Sequence, residues 1–334
     1  MSELHSDDQT AGHPNDRAVI RLRPKSKPQA IRHGFPWVFA DEAVLDRRTK
    51  ALPPGGLAVL EDAERQPLAL VTVNPVSKII ARVMDTDPGA VIDGAWLRAR
   101  LTRALQMRER IYDEPFYRLV HAEADGLPGL VIDRFGDAAV IQPNAAWADG
   151  MAEDIADALI EVAGVSTVVL NGQGRSRGLE GLAERLEVIR GTAPSGPVQV
   201  RMNGATYLAD LLGGQKTGLF FDQRPNHAFA QRLVNGGSVL DVFSHVGGFG
   251  LAALAAGADS ALCIDGSAPA LELARGGASA MGAADRLETQ QSDAFDALEA
   301  LAEQDRTFDV VVCDPPAFAP SKPALEKGLR AYER

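Results

Sequence analysis

Four aspartates spaced through the last hundred residues carry the first chemical hint: Asp241, Asp265, Asp293 and Asp314. Each closes or follows an apolar run of strand length, at 238–243, 261–264, 287–290 and 308–313. A glycine-rich segment follows the first, Phe243-Ser244-His245-Val246-Gly247-Gly248-Phe249-Gly250, and Pro315-Pro316-Ala317-Phe318 follows the last. Carboxylates accept hydrogen bonds from hydroxyls and amines and attract cations. One alone reads as a helix cap; four at successive strand ends read as a binding site. The glycines at 247, 248 and 250 lack the spacing of a dinucleotide fingerprint, and Asp241 in that loop would repel a diphosphate. The expected ligand is cationic, rich in hydroxyl and amine groups, and free of phosphate.

Such a row needs a repeating scaffold beneath it. From 191 onward, apolar strands alternate with alanine-rich helices at 249–256, 269–281 and 294–303. That order predicts a parallel, doubly wound α/β sheet with ligands beyond the carboxyl ends of its strands. A hairpin at 198–202 and 205–209, turning at Asn203-Gly204, precedes it. Upstream, 17–88 reads as a small β-rich unit, with strands at 18–22, 57–60 and 68–73 and a turn into another over 34–39. Residues 89–190 read as a mixed α+β unit: an Arg-rich helix over 98–112, strands at 130–133, 138–142 and 167–170, and a helix over 149–162. The expected domains are a disordered tail at 1–16, then 17–88, 89–190 and 191–334.

S-adenosylmethionine has the required groups: an ammonium, a sulfonium, two ribose hydroxyls and an adenine amine. Asp265 suits the ribose hydroxyls, as does the acid on the second strand of dinucleotide sites. Asp293 suits the adenine amine, Asp241 joins the cofactor site as the first of the four acids, and Gly247 and Gly248 let backbone approach the methionine part. Two prolines after the fourth strand make a rigid, extended loop that aims Asp314 at whatever lies beside the methyl group. Phe318 offers a surface on which a base could stack, worth about 1–3 kcal/mol. The expected reaction is methylation of a planar, nitrogen-rich substrate.

Bulk properties set limits on this reading. The 334 residues, 46% hydrophobic and 24% charged, suit a soluble globular chain of two or three domains. No run of 18 apolar residues occurs, and the N-terminus lacks the regions of a signal peptide. Cys263 and Cys313 are the only cysteines, which predicts neither a disulfide framework nor a metal site. A cytoplasmic location with no membrane partner follows by elimination. The net charge of −11 opposes nucleic-acid binding at first sight. Yet residues 17–118 hold 18 Lys/Arg against 12 Asp/Glu, a net of +6, while 119–334 hold 16 against 29, a net of −13. The basic part suits nucleic-acid contact, although a solvated basic face gives the same count.

The motifs resemble a known family. Val239 to Gly250 and the segment Asp314-Pro315-Pro316-Ala317-Phe318-Ala319-Pro320-Ser321-Lys322 look like those of the RlmI-like 23S rRNA cytosine-5 methyltransferases. So does Gly214-Gln215-Lys216-Thr217-Gly218-Leu219-Phe220-Phe221-Asp222-Gln223-Arg224, which in that family closes over the cofactor. Gly34-Phe35-Pro36-Trp37-Val38-Phe39 resembles the family's PUA domain, an RNA-binding barrel, and Arg118 to Leu130 its middle domain. The likeness implies a class I, Rossmann-like methyltransferase domain preceded by a PUA-like barrel and an α+β middle domain. It implies S-adenosylmethionine as cofactor and 23S rRNA as partner, met free of protein or in an early assembly intermediate; a dimer is compatible with it. On matching positions, Lys216, Thr217, Phe220, Asp222 and Arg224 join the cofactor site, with Ser244 and Ser267. Arg224 also suits a phosphate contact or a surface ion pair. The family usually has Tyr-Thr at His245-Val246 and an Asn-rich helix end at Arg275-Gly276-Gly277-Ala278. His245 reads as a pocket residue or, preferably, as a turn histidine.

Cytosine C5 needs activation: a thiolate adds to C6, C5 attacks the methyl, and a base removes the C5 proton. The resemblance places that cysteine, and the strands completing the sheet, beyond Arg334, so the chain is expected to be truncated. Cys263 reads as core, and Cys313 as packing at the end of a buried strand. Asp314, Pro315, Pro316 and Phe318 remain the catalytic-loop candidates, Asp314 binding the base edge. Two alternatives stay open. Guanine-N7 methylation of large-subunit rRNA uses a similar Asp-Pro-Pro loop without a cysteine. An RNA-binding protein with a catalytically incomplete methyltransferase fold is the other.

Overall fold

The computed structural model describes residues 17–214, 218–319 and 322–333. The chain divides into two compact units, one holding residues up to 113 with 118–193, the other 114–117 with 194 onward. The tail expected at 1–16 lies outside the described residues.

In the first unit, β1 (Ala18–Arg21), β2 (Trp37–Phe39), β3 (Gly56–Glu61), β4 (Pro67–Val73) and β5 (Ile79–Asp85) form one sheet in the order β1-β3-β4-β5-β2. Short helices α1 (Pro28–Arg32) and α2 (Arg47–Lys50) lie between them. β4 is buried at every position after Pro67, and Ile20, Val38, Leu60, Val71 and Ile80 join the same core. Each such side chain contributes about 1.5–3 kcal/mol on leaving water. The sequence reading missed β5, whose apolar run is interrupted by Arg82; the structure half-buries that side chain and pairs it with two carboxylates.

The second sheet of this unit has the order β10-β9-β8-β7-β6, built from β6 (Phe116–His121), β7 (Leu130–Phe135), β8 (Ala138–Pro143), β9 (Thr167–Asn171) and β10 (Leu186–Arg190). Helix α3 (Gly94–Glu109) begins where Asp93 accepts a hydrogen bond from the Trp96 N–H. It buries Leu97, Leu101, Ala104 and Leu105 and packs on α5 (Ala152–Ala163). The single helix expected over 149–162 is instead two, α4 (Ala146–Gly150) and α5, broken at Met151 after Gly150, which weakens a helix interior. A short α6 (Arg175–Leu179) precedes β10.

Much of the basic charge upstream of residue 118 is spent inside this unit. Arg100 meets Asp85 at 2.8 Å, and Arg108 grips Asp125 through two hydrogen bonds of 2.6 and 2.7 Å. Arg82 bridges Glu123 and Glu180 at 3.1 and 2.9 Å. Glu180 is 4% exposed and also accepts from Asn74 Nδ2 at 2.9 Å and Ser77 Oγ at 2.8 Å. Glu123 accepts from Trp37 Nε1 at 2.8 Å. Two carboxylates thus satisfy polar groups of the first sheet from 41 to 106 positions away in the chain. On α2, Arg47, Arg48 and Lys50 are exposed and form no ion pair among the described residues.

In the second unit, β11 (Val198–Met202) and β12 (Ala205–Ala209) pair as expected, with Asn203 and Gly204 both at positive φ in a tight turn. Helix α7 (Arg224–Gln231) leads to β13 (Ser238–Val242), α8 (Gly248–Ala255), β14 (Ser260–Asp265), α9 (Ala268–Ala280), β15 (Leu287–Gln291), α10 (Ala294–Glu303), β16 (Val310–Cys313) and α11 (Leu325–Glu333). The four strands are parallel in the order β15-β14-β13-β16, which reverses direction beside β13. Leu240, Val242, Leu262 and Ile264 pack against Ala294, Ala297 and Leu301 of α10. A Cβ on Gly276 would come within 2.4 Å of Leu208 Cδ1, and one on Gly277 within 2.7 Å of the Thr206 carbonyl. Those two glycines let α9 lie against β12.

β16 corrects the expectation of a buried strand. It is the outermost strand on its side among the described residues; Val311 is 55% exposed and Cys313 is exposed. No described helix is long and apolar enough to cross a membrane.

Replacing Glu180 by alanine leaves Arg82, Asn74 and Ser77 without their shared acceptor. The expected cost is about 3–5 kcal/mol in the unfolding free energy of the first unit, measured by urea denaturation. A variant as stable as the parent would show that the network adds nothing.

Candidate functional site

The site grows from the carboxyl end of β13. Asp241 points inward from that strand and is fully buried. Its Oδ2 accepts from the Phe249 N–H at 3.1 Å and the Gly250 N–H at 2.8 Å, tethering the first turn of α8. Oδ1 has no partner among the described residues. Gly250 is required there, because a Cβ would lie 2.4 Å from Cys263 Sγ. Burial raises the Asp241 carboxyl to about 7; Asp265 and Asp314 push the same way, and the two N–H donors oppose them.

Between strand and helix the loop is strained. Phe243 and His245, both non-glycine, sit at φ 62° and 50° on either side of Ser244. Such conformations cost about 1–3 kcal/mol each and cluster at functional sites. Asp265, at the end of β14, holds this loop: Oδ2 accepts from the His245 N–H at 2.8 Å and Oδ1 from the Ser267 N–H at 2.8 Å. Ser267 in turn caps α9 through the Ala270 N–H.

A cavity of about 630 Å³ opens over these strand ends. Asp265, Gly266 and Ser267 line one side, and Asp314, Pro315, Pro316 and Ala317 another. Ser244, His245, Gly248 and Phe249 form the floor, and Leu219, Phe220, Asp222 and Gln223 come from the strap before α7. Three carboxylates and no lysine or arginine occur among these described lining residues. The wall therefore favours a cation and disfavours a phosphate. It lies where the strand order reverses, the place at which open α/β sheets bind ligands.

His227, on α7, also lines the cavity while being 4% exposed. Its ring stacks on Tyr207 at 6.1 Å and meets Phe249 edge-on at 4.6 Å. The Tyr207 hydroxyl donates to the Gly248 carbonyl at 3.0 Å. Burial lowers the His227 imidazole to about 4, against a small opposing pull from Asp222. His227 Nδ1, Asp241 Oδ1 and Ser244 Oγ are three of the four buried side-chain polar atoms that lack a partner among the described residues. All three belong to this site, and a bound ligand is the economical way to satisfy them.

Comparison with known proteins follows the same division. Residues 20–86 match a family model described as a PUA-like domain, and residues 223–330 one described as conserved hypothetical protein 95. A curated relative, ribosomal RNA large subunit methyltransferase I of Photobacterium profundum, is 36% identical over 318 residues, covering 92% of this chain and 79% of that protein. The protein of the same name from Shewanella denitrificans is 34% identical over 323 residues, covering 94% of this chain and 80% of its own. This chain belongs to the ribosomal RNA large subunit methyltransferase I family.

The family resemblance read from the motifs is thus borne out. A Streptococcus mutans structure described as a SAM-dependent methyltransferase superposes on this large subunit methyltransferase I member with a TM-score of 0.76 at 16% identity, over 94% of this chain and 82% of that one. A methyltransferase crystallised with SAH gives 0.74 at 17%, over 91% and 77%. Both share its fold, so the class I methyltransferase architecture stands.

Within this family member the expected site residues fall into groups. Phe220, Asp222, Ser244, Gly248, Asp265, Ser267, Asp314, Pro315 and Pro316 line the cavity. Asp241 lies beneath it, and Gly247 takes φ 79° at the start of α8. Asp293 caps α10 by accepting from the Phe295 and Asp296 N–H groups, and is not part of the wall. Phe318 packs against Phe243, Phe295 and Tyr332 behind the loop. Arg224 turns toward the Phe116 carbonyl at 2.8 Å. Lys216 and Thr217 lie outside the described residues. Cys263 is core as expected; Cys313 is exposed, with burial and then the neighbouring Asp314 raising its thiol. His245 sits in the turn, its N–H held by Asp265, and also lines the cavity, so both readings of it meet in one place. Gln223 and His227 escaped the sequence reading, although both sit in or just after the Phe-Asp-Gln-Arg segment, four residues apart and hence on one face of a helical turn.

Because the folded chain refuses a proton on His227 that the unfolded chain accepts, stability is full above about 6.5 and falls as pH drops toward about 4. The loss reaches up to about 3 kcal/mol. Subtracting the denaturation profile of His227→Phe from that of the parent should isolate this component. Parallel profiles would count against a buried neutral imidazole.

Proposed function

We propose that this chain is an S-adenosylmethionine-dependent methyltransferase that acts on C5 of a cytosine in 23S rRNA. The observation that carries the reading is the shared cavity: the Asp314-Pro315-Pro316 loop and the Asp265–Ser267 segment face one space over the switch point of the sheet. Its relatives are named for large-subunit ribosomal RNA methylation, and their likeness runs over more than 90% of the chain. An rRNA substrate, in turn, suits a cytoplasmic protein.

The residues present fit the cofactor. Asp265 keeps lone pairs for ribose hydroxyls beyond the two backbone donors it serves. Ser244 and His227 contribute unpartnered polar atoms at the floor. At Gly248 a Cβ would lie 2.8 Å from His227 Nε2, so bare backbone is needed beside that ring. When bound, S-adenosylmethionine supplies an electrophilic methyl group. Asp241 acts from below, holding the turn through which Phe249 and Gly250 are placed. Asp314 accepts from the exocyclic amine of the base, and Pro315 and Pro316 hold that carboxylate in one direction. Phe318 stiffens the loop from behind, through its ring contacts and the Phe318 N–H donated to the Tyr332 hydroxyl at 3.1 Å. RNA contact falls to exposed cations, with Arg47, Arg48 and Lys50 of α2 as candidates.

One observation favours a second reading, guanine-N7 methylation. Neither Cys263 nor Cys313 is among the described lining residues, and N7 attack needs no thiolate. Incubation with S-adenosylmethionine and unmodified 23S rRNA, followed by nucleoside mass spectrometry, separates the two: 5-methylcytidine supports the first reading, and 7-methylguanosine transfers the case to the second.

Cofactor affinity should also depend on pH. A cationic ligand favours ionised Asp241, so affinity rises with pH until the carboxyl at about 7 has titrated. Below that point the gain is up to about tenfold per pH unit. Asp241→Asn should bind with a flat profile in calorimetry, and a slope equal to the parent's would remove Asp241 from the linkage.

A further inference from the structure

The cavity holds a pair of side chains whose hydrogen-bonding pattern is directional. Gln223 Nε2 donates to Asp314 Oδ2 at 2.9 Å, across 91 positions of sequence. Asn226 Nδ2 donates to Gln223 Oε1 at 2.6 Å. The second bond decides how the first is oriented. With its oxygen occupied by a donor, the Gln223 amide must present its NH₂ group to Asp314. One of those two N–H groups is used by Asp314. The other, and Asp314 Oδ1, have no partner among the described residues. The wall therefore offers a donor and an acceptor side by side, on two groups already joined at 2.9 Å through Nε2 and Oδ2, at the mouth of the Asp-Pro-Pro loop.

We propose that Gln223 and Asp314 together read the Watson–Crick edge of the target base, with Asn226 fixing the orientation of the amide. This rests on the methyltransferase reading above and deepens it by naming what selects the base. Cytosine presents an acceptor at N3 beside a donor at the N4 amine, the complement of Gln223 N–H and the Asp314 carboxylate. Guanine and uracil present the reverse, a ring N–H beside a carbonyl, which would set donor against donor and acceptor against acceptor. A mispaired polar edge discriminates more strongly than a missing apolar contact, because both partners lose water without gaining a bond. Adenine shares the cytosine pattern and is excluded by ring size rather than by this pair. Asn226 reaches no base; it is a positioning residue acting through Gln223.

The test uses a 23S rRNA fragment spanning the position at which the parent chain makes 5-methylcytidine, carrying either cytidine or 3-deazacytidine there. The analogue lacks the N3 acceptor and keeps the N4 amine. The parent should prefer cytidine by roughly 5- to 150-fold in equilibrium binding, because the analogue leaves the Gln223 N–H facing a carbon. Gln223→Ala should shrink that preference to within about twofold. Asn226→Asp replaces the donor by an acceptor, turns the amide over, and should erase the preference as well. A ratio of two RNAs on one variant does not depend on the fraction folded. Gln223→Ala retaining the parental ratio overturns the proposal alone. A parent that makes 7-methylguanosine instead overturns both the proposal and the reading beneath it.

Discussion

A carboxylate taken fully out of water at Asp241 is the constraint around which the second unit is arranged. An ion there is costly unless donors meet it. Those that do are the Phe249 and Gly250 N–H groups and, more distantly, the Cys263 thiol at 3.9 Å; recruiting the two N–H groups fixes where α8 starts. That start in turn requires Gly247 at positive φ and a bare Cα at Gly250 against Cys263. The tight span from β13 to α8 leaves Phe243 and His245 in conformations that side chains avoid. Asp265 then holds the strained turn by its His245 N–H. Removing the charge at the base would loosen each of these in order.

Charge explains why the site is shaped for one class of ligand. Burial holds the Asp241 carboxyl above its ordinary range, and the nearby Asp265 and Asp314 add to the effect. Without a cation the cluster is under electrostatic tension, which partial protonation of Asp241 relieves. A ligand with a sulfonium and an ammonium would relieve the same tension without protons. The unit therefore trades stability for readiness to bind. Part of the acidic count downstream of residue 118 belongs to this cluster, and part to the ion pairs that Glu123, Asp125 and Glu180 make with arginines.

Where periodicity was strong, the sequence already disclosed the structure. The hairpin at Asn203-Gly204 and helix α10 lie within the bounds read from the residues, and the alternation of strands and helices foretold the parallel sheet. β5, β6 and β10 were not legible, because charged residues such as Arg82 and Arg118 break their apolar runs and become acceptable only once distant carboxylates pair with them. The gap at Met151 was hidden for a different reason: apolar spacing continues across it. At the site, carboxylates at strand ends could be placed by counting. His227 could not, since its burial depends on Tyr207 and Phe249 arriving from the hairpin and α8. Nor could the exposure of Cys313, which follows from the position of β16 in the sheet rather than from its composition.

Strand order has a consequence for how two reactants meet. β13 has β14 on one side and β16 on the other, although β16 is the last of the four strands in sequence. The acid suited to ribose, Asp265, ends β14, and the acid suited to a base, Asp314, follows β16. In the proposed reaction, donor and acceptor therefore approach from opposite flanks of a single central strand. The only place they can touch is above the carboxyl end of β13, over Ser244 and the turn that Asp241 holds. A sheet wound in one direction would also leave one strand between those acids, but that strand would be β15, and no crevice would open between them. Reversal beside β13 places the crevice between the two acids, and the meeting that methyl transfer needs is then a property of topology before any side chain is chosen.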